Sequence, residues 1–260
     1  GITFNPDSGS APSVNVYIND IQVDPQVAFT AIYDVAQIEV LRGPQGLFRG
    51  STSPAGSITL TTRKPDLDVT EGYFQGSVTS RNAVNVQGAA SIPLVPGKLA
   101  LRAAALVDFN RGNYVKNVVT DRRSRGDTES YRLSLQAEPT ERLNATLIYQ
   151  YLSSDQSPQI AVFGPGNQPS LLDPSRSGPP LKIGDRKAVA ELDPRFTNET
   201  HLVTFEANYD MDFATLSLNS GYQDSKLKQL RDSDMANAVP NYAQAQRTDT
   251  PYKVTTVDLR

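Results

Sequence analysis

A chain in which apolar and polar residues change places at every step, over long runs, fits β-strands with two unlike faces. From Lys98 to Asn110 the odd positions are Leu99, Leu101, Ala103, Ala105, Val107 and Phe109, while Lys98, Arg102, Asp108 and Asn110 stand among the even ones. In Thr128–Glu138 every even position is polar, and Tyr131, Leu133, Leu135 and Ala137 oppose them. Arg142–Leu152 places Leu143, Ala145, Leu147, Tyr149 and Tyr151 on one face. His201, Val203, Phe205, Ala207 and Tyr209 form another such face, and Ala214, Leu216, Leu218 and Tyr222 a further one. Weaker alternation runs through Gly72–Ser80 and Val84–Ile92, and Val257 with Leu259 opens an eighth segment. No stretch of similar length follows a helical period, so the chain beyond residue 70 is expected to be nearly all β.

Such alternation suits a soluble sheet with one wet face as well as a wall between lipid and a polar lumen. The connections favour the second. From Pro93 onward they run Pro93–Gly97, Arg111–Asp127, Pro139–Glu141, Ser153–Asn198, Asp210–Asp212 and Leu227–Lys253, short and long in turn. All long connections then fall at one end, as in outer-membrane barrels with tight periplasmic turns and long outer loops. Strands of about 9–13 residues also match a tilted bilayer span. The longest apolar run, Ala103–Val107, is far too short for a membrane helix. Eleven Tyr are present for interfacial girdles, but no Trp. Ser153–Asn198 holds seven prolines and Gly164, Gly166, Gly178 and Gly184, which reads as a functional surface loop.

Composition removes several chemistries. A net charge of −3 gives no basic stripe for nucleic acid, and the absence of Cys removes disulfides and thiolate sites. The single histidine, His201, falls on the apolar face of a strand, where an interfacial aromatic is expected rather than a metal ligand or base. The glycines of Gly46-Leu47-Phe48-Arg49-Gly50-Ser51 lack the spacing and lysine of a phosphate loop, and Ser51, Ser53 and Ser57 sit in no nucleophile elbow. No catalytic, metal or cofactor site is expected, and the chain is read as a non-enzyme. It begins without Met and ends in "TTVDLR", in mid-strand by pattern, and is read as an excerpt of a longer chain.

Residues 1–70 have another texture: short strands around "SVNVYINDIQVD" with a turn at Asn19-Asp20, then "YDVAQIEVLRGP", a glycine-rich kink, and "SITLTTRKP". Gly43, Gly46, Gly50 and Gly56 allow positive φ or close backbone approach, and Pro44 pins the first bend. Arg42 is expected to need a carboxylate, either Glu39 or an acid of the wall.

The run "VYINDIQVD…YDVAQIEVLRGPQGLFRGSTSPAGSITLTTRKP" resembles the second half of the plug domain of TonB-dependent outer-membrane receptors. "GYFQGSVTS", "KLALRAAALVDFNRGNY" and "SYRLSLQAEPTERLNATLIYQYLSSD" resemble that family's first barrel strands. Arg49, where the family usually has an aromatic residue, and Ala55, in place of a glycine, mark a divergent subgroup. The resemblance implies an all-β-dominated fold: a transmembrane antiparallel barrel of about 22 strands, some seven or eight of them here, around a small mixed α/β plug. Residues 1–70 would be the C-terminal half of the plug and 71–260 the first part of the barrel. It further implies outer-membrane localisation in a Gram-negative bacterium, contact with membrane lipid, and energised uptake through TonB–ExbB–ExbD, whose contact segment would lie outside this fragment. The ligand implied is a ferric siderophore, with cobalamin, haem or an oligosaccharide as alternatives. A signal-transducing receptor of the same build and a soluble β-rich adhesin are competing readings. Val23–Ala31 corresponds to an apical plug loop, which makes Asp24, Gln26, Phe29 and Thr30 the expected ligand contacts. Glu39, Arg42, Gly43, Pro44, Gly46, Gly50 and Gly56 form the expected structural motif, with Arg42 anchoring plug to barrel.

Overall fold

The computed structural model of the chain describes residues 14–44, 54–111, 114–161, 181, 184–190, 192–232 and 245–260. Its first unit is a four-stranded mixed sheet made of β1 (Val14–Ile18), β2 (Ile21–Val23), β3 (Val35–Arg42) and β4 (Gly56–Thr62), in the order β2-β1-β4-β3. Asn19 and Asp20 both take positive φ, the backbone a two-residue hairpin needs between β1 and β2. Asn19 Oδ1 then accepts from the Thr62 amide at 2.9 Å, which ties this turn to the end of β4. Between β2 and β3 the expected apical loop is instead a short helix, α1 (Pro25–Thr30). Asp24 caps it by accepting from the Gln26 amide at 2.7 Å, and Pro25 starts it with a preset φ. Six residues are too few to leave a periodic signal in the sequence.

The second unit is an antiparallel wall of eight strands. They are β5 (Glu71–Val78), β6 (Val84–Val95), β7 (Leu99–Asn110), β9 (Arg125–Thr140), β10 (Leu143–Ser157), β12 (Arg195–Asp210), β13 (Thr215–Asp232) and β14 (Ala245–Leu259). Each pairs with the next in chain order, and β5 and β14 remain the two edges, so the wall does not close. Two further short strands, β8 (Lys116–Asn117) and β11 (Lys187–Ala188), pair with each other in parallel and join two long loops. Five wall strands run to 15–18 residues, longer than the alternation suggests. Their extensions lie at the long-loop end, where the apolar half of the pattern disappears although Ser154, Ser157 and Asn198 remain buried. Antiparallel pairing continues there, as at Arg195↔Leu230↔Arg247.

The two faces of the wall settle what the alternation left open. The polar positions point inward and are buried: Ser130, Arg132, Ser134 and Gln136 on β9, Thr146, Gln150 and Ser154 on β10, and Thr200 and Thr204 on β12. Tyr131, Leu133, Leu147, Tyr149, Tyr209, Tyr222 and Val257 point outward and stay exposed. A soluble sheet would bury the apolar face, whereas a wall in lipid presents it. His201 joins the outward face beside Tyr149 and Tyr151, with the Tyr149 hydroxyl 2.9 Å from His201 Nδ1. Tyr209 lies eight residues farther along the same strand. At about 3.4 Å per residue that is ~27 Å of strand, a length that fits the apolar band of an outer-membrane barrel once tilted.

The plug sheet packs inside this wall through two apolar clusters. Val16, Ile18, Val23, Ala28 and Leu60 of the plug meet Leu202 of β12. Val27, Ala31 and Tyr33 meet Ala89, Ala104, Leu106 and Leu152 of β6, β7 and β10. Helix α1 is thus shared, with Ala28 turned to the plug core and Val27 to the wall. At Gly221 on β13 an added Cβ would come within 2.4 Å of the Ile21 side chain, so the β1–β2 hairpin rests directly on the wall backbone.

Candidate ligand site at the plug apex

Two residues between α1 and β3 hold the plug in place. Asp34 adopts positive φ and turns its carboxylate into the wall. Arg102 of β7 grips both oxygens, with Nε donating to Oδ2 at 2.9 Å and Nη2 donating to Oδ1 at 2.5 Å. Its Nη1 donates to Glu71 of β5 at 3.1 Å. Arg132 of β9 donates to the main-chain oxygens of Asp34 and Tyr33 at 3.2 and 3.3 Å and stacks over the Tyr33 ring at 4.6 Å. Apart from the half-exposed Glu71 these groups are buried, the Asp34 and Arg102 side chains being 1% and 2% exposed. Bidentate geometry is the condition under which so dry a pair holds its charges. Ser130 Oγ donates to the Tyr151 carbonyl at 2.7 Å, which leaves the Tyr33 hydroxyl, 3.0 Å away, as the donor to Ser130. Burial pushes the Tyr33 phenol up, so it keeps that proton.

Arg42, the anchor expected from the sequence, takes no part in this clasp. Arg42 is exposed on the outer strand of the plug sheet and pairs with no described carboxylate. Glu39 accepts from Gln37 instead, at 2.8 Å. The buried link runs from a plug acid to wall arginines, and nearer the surface Lys64, after β4, donates to Glu206 of β12 at 2.9 Å. Asp34 was missed because a single Asp before a strand carries no pattern. Arg102 and Arg132 were visible as long cations in mid-strand on a lumen face, and such residues imply a buried carboxylate partner. Within the glycine motif, Gly43 takes φ +87 and its amide donates to the Ala55 carbonyl at 3.1 Å. A Cβ on Gly56, at φ +141, would lie 2.2 Å from the Leu41 oxygen, so this hairpin closes too tightly for any side chain there. Pro44 follows directly on that bend. Gly46, Gly50 and Arg49 lie outside the described residues.

The clasp positions α1 at the long-loop end of the wall. There Gln26, Phe29 and Thr30 border a cavity of about 390 Å³ whose other side is Ser154 and Gln156 of β10, Phe196, Thr197 and Asn198 of β12, and Leu227, Lys228, Gln229 and Arg231 of β13. Three of the four apical residues singled out in the sequence therefore share one cavity. Asp24 does not line it and acts as the helix cap. Phe196 and Arg231 also line a neighbouring apolar pocket of about 300 Å³, with Pro158, Ile160, Ala188, Ala190 and Pro194. The Arg231 guanidinium lies over the Phe196 ring at 5.4 Å. The wall residues of the site were not legible beforehand, because Phe196 and Arg231 stand where the sequence reads as loop.

The roof of the apolar pocket is fixed by Asp193. Its Oδ1 accepts from Thr120 and from Gln159, both at 2.7 Å, and Arg122 lies 3.3 Å from Oδ2. Fully buried Asn117 donates to the Ala190 carbonyl at 2.9 Å. The described parts of the long loop are thus pinned to the loop before it. Among the described residues no group of three or more His, Cys, Asp or Glu is placed to hold a metal ion.

Fold and site together define a plug seated against a sector of an outer-membrane-type barrel wall. The chain matches no protein-family model. Over 104 residues, 40% of its length, it is 30% identical to the pesticin receptor of Yersinia enterocolitica and spans 15% of that protein. It superposes on the ferric yersiniabactin uptake receptor FyuA of Yersinia pestis with a TM-score of 0.69 at 19% identity, covering 96% of this chain and 37% of FyuA. The siderophore receptor PiuA of Acinetobacter baumannii gives 0.60 at 20% identity, over 84% of this chain and 30% of PiuA. These likenesses uphold the resemblance to TonB-dependent receptors, whose plug and barrel-wall fold this chain has. That fold is at home in the outer membrane of Gram-negative bacteria.

Proposed function

We propose that the chain is the plug half (to residue 70) and the first wall sector (from 71) of a receptor that takes up a ferric siderophore. Transport would be energised by the TonB–ExbB–ExbD complex. The observation that carries the reading is the cavity between plug helix α1 and the loop end of β10, β12 and β13. A solute captured there touches plug and wall at once, so displacement of the plug is coupled to its release. The ferric yersiniabactin uptake receptor and the siderophore receptor among the structural neighbours support iron as the cargo class.

The test is uptake of radiolabelled iron chelates, under iron limitation, by cells that carry or lack the full-length gene. Loss of uptake of at least one chelate on deletion, and equal loss in a tonB background, is expected. Unchanged uptake of every chelate would reject the reading.

A further inference from the structure

Resting on that reading, we infer that the ligand turns toward this sector a face of low charge: hydrogen-bonding oxygens beside one flat apolar ring, with at most one anionic group. The two cavities that meet at Phe196 divide the work. The one bounded by α1 is lined by amides and hydroxyls from Gln26, Thr30, Ser154, Gln156, Asn198 and Gln229. The other is lined by proline, alanine, Ile160 and the Phe196 ring. No carboxylate lines either cavity among the described residues.

Their cations are few. Arg231 borders both cavities, with its guanidinium spread on the Phe196 ring. Lys228 reaches only the rim of the first, because its ammonium stands 4.0 Å from Asp249 and the side chain is 63% exposed. Among the described residues a polyanion facing this sector would meet one guanidinium for several charges, and desolvating the remainder is costly. Neutral amide and hydroxyl donors suit carbonyl, phenol and hydroxyl oxygens instead. Asn198 adds a separate observation. Its side chain lines the cavity in a residue only 8% exposed, and its Oδ1 accepts from Thr200 at 2.8 Å. Its Nδ2 is buried with no acceptor, so a rotation of the side chain toward the cavity would offer this donor to a ligand oxygen. The Phe196 face and the apolar pocket behind it supply the slot for a ring.

Equilibrium binding to the full-length receptor in detergent tests this with four probes. They are a phenolate-type ferric chelate of charge zero or −1 that carries a ring, a ferric tris-catecholate trianion, a ring-free ferric α-hydroxycarboxylate polyanion, and a neutral oligosaccharide. The ring-bearing chelate should bind at least about tenfold tighter than either polyanion. Its affinity should change less than about threefold when salt is raised tenfold, because buried contacts are little screened. Phe196→Ala should weaken it about tenfold, with folding of the variant checked by heat-modifiable migration. Tighter binding of a polyanion, or a steep salt dependence, overturns the inference without touching iron uptake. Binding of the oligosaccharide alone keeps the low-charge face and rejects iron as cargo. No binding by any probe rejects both.

Discussion

Plug and wall bury opposite kinds of side chain. In the plug, Val16, Ile18, Val23 and Leu60 form an apolar core, with Asn15, Ser57 and Thr59 also buried and Ile38 and Val40 of the edge strand β3 left exposed. In the wall, Ser130, Arg132, Gln136 and Gln150 are inside, while Leu133, Leu147 and Tyr149 look outward. The same period-2 alternation is therefore read with opposite sign on either side of the link between β4 and β5. The difference teaches that solvent, not pattern, decides which face is the interior. The plug gathers an apolar core that the wall helps to cover, and the wall answers to lipid outside and to the plug within. Where the two orders meet they are joined by buried charge, Asp34 with Arg102, and not by apolar packing alone.

The largest disturbance should come from cutting that joint. Asp34→Leu leaves buried Arg132 without its anion and Arg102 with only the half-exposed Glu71, at a cost of about 3–5 kcal/mol. In full-length receptor the plug should become sensitive to limited proteolysis. Asp34→Leu with Arg102→Leu should recover part of the loss, and strict additivity would refute direct coupling. Next comes the sign of the wall. Leu133→Arg, on the lipid face, should lower barrel stability by about 2–4 kcal/mol in denaturant titrations from lipid vesicles. If it proves neutral, that face does not meet lipid. A smaller effect is expected at the seat of the hairpin. Gly221→Val must displace Ile21, costing about 1–3 kcal/mol, and should loosen the plug while leaving heat-modifiable migration of the barrel intact.

The smallest effect concerns pH. Burial raises the Asp24 carboxyl above its ordinary value of 3.8, against the opposing hydrogen bond from the Gln26 amide. The folded plug thus holds this proton more tightly than the unfolded chain does. Its contribution is complete below the ordinary carboxylate range and is lost as pH rises through the raised value. Asp24→Asn keeps the cap and should match or slightly exceed the parent plug in protease resistance at neutral pH, with the gap closing on acidification. A gap that widens in acid would contradict this assignment.

Much of the fold was legible because long strands repeat one simple signal. The eight wall strands, the Asn19-Asp20 turn and the close strand approach at Gly43 and Gly56 all left local marks. The site was legible only in part. Gln26, Phe29 and Thr30 stood out through resemblance, but α1 itself was hidden by its shortness. Phe196 and Arg231 were hidden because strands that outrun the membrane lose their apolar beat. The Asp34 clasp was hidden since its partners lie 68 and 98 residues away along the chain.

By itself the sequence determined the period of the strands, the placement of every long loop at one end, and the glycine-bound kink after Arg42. These depend on neighbours along the chain, through pleat and backbone conformation. Only the tertiary structure decided which face of the wall is inward, which acid holds the plug, and which side chains share the apical cavity. Those depend on what stands across a gap, and burial and charge pairing are properties of that meeting.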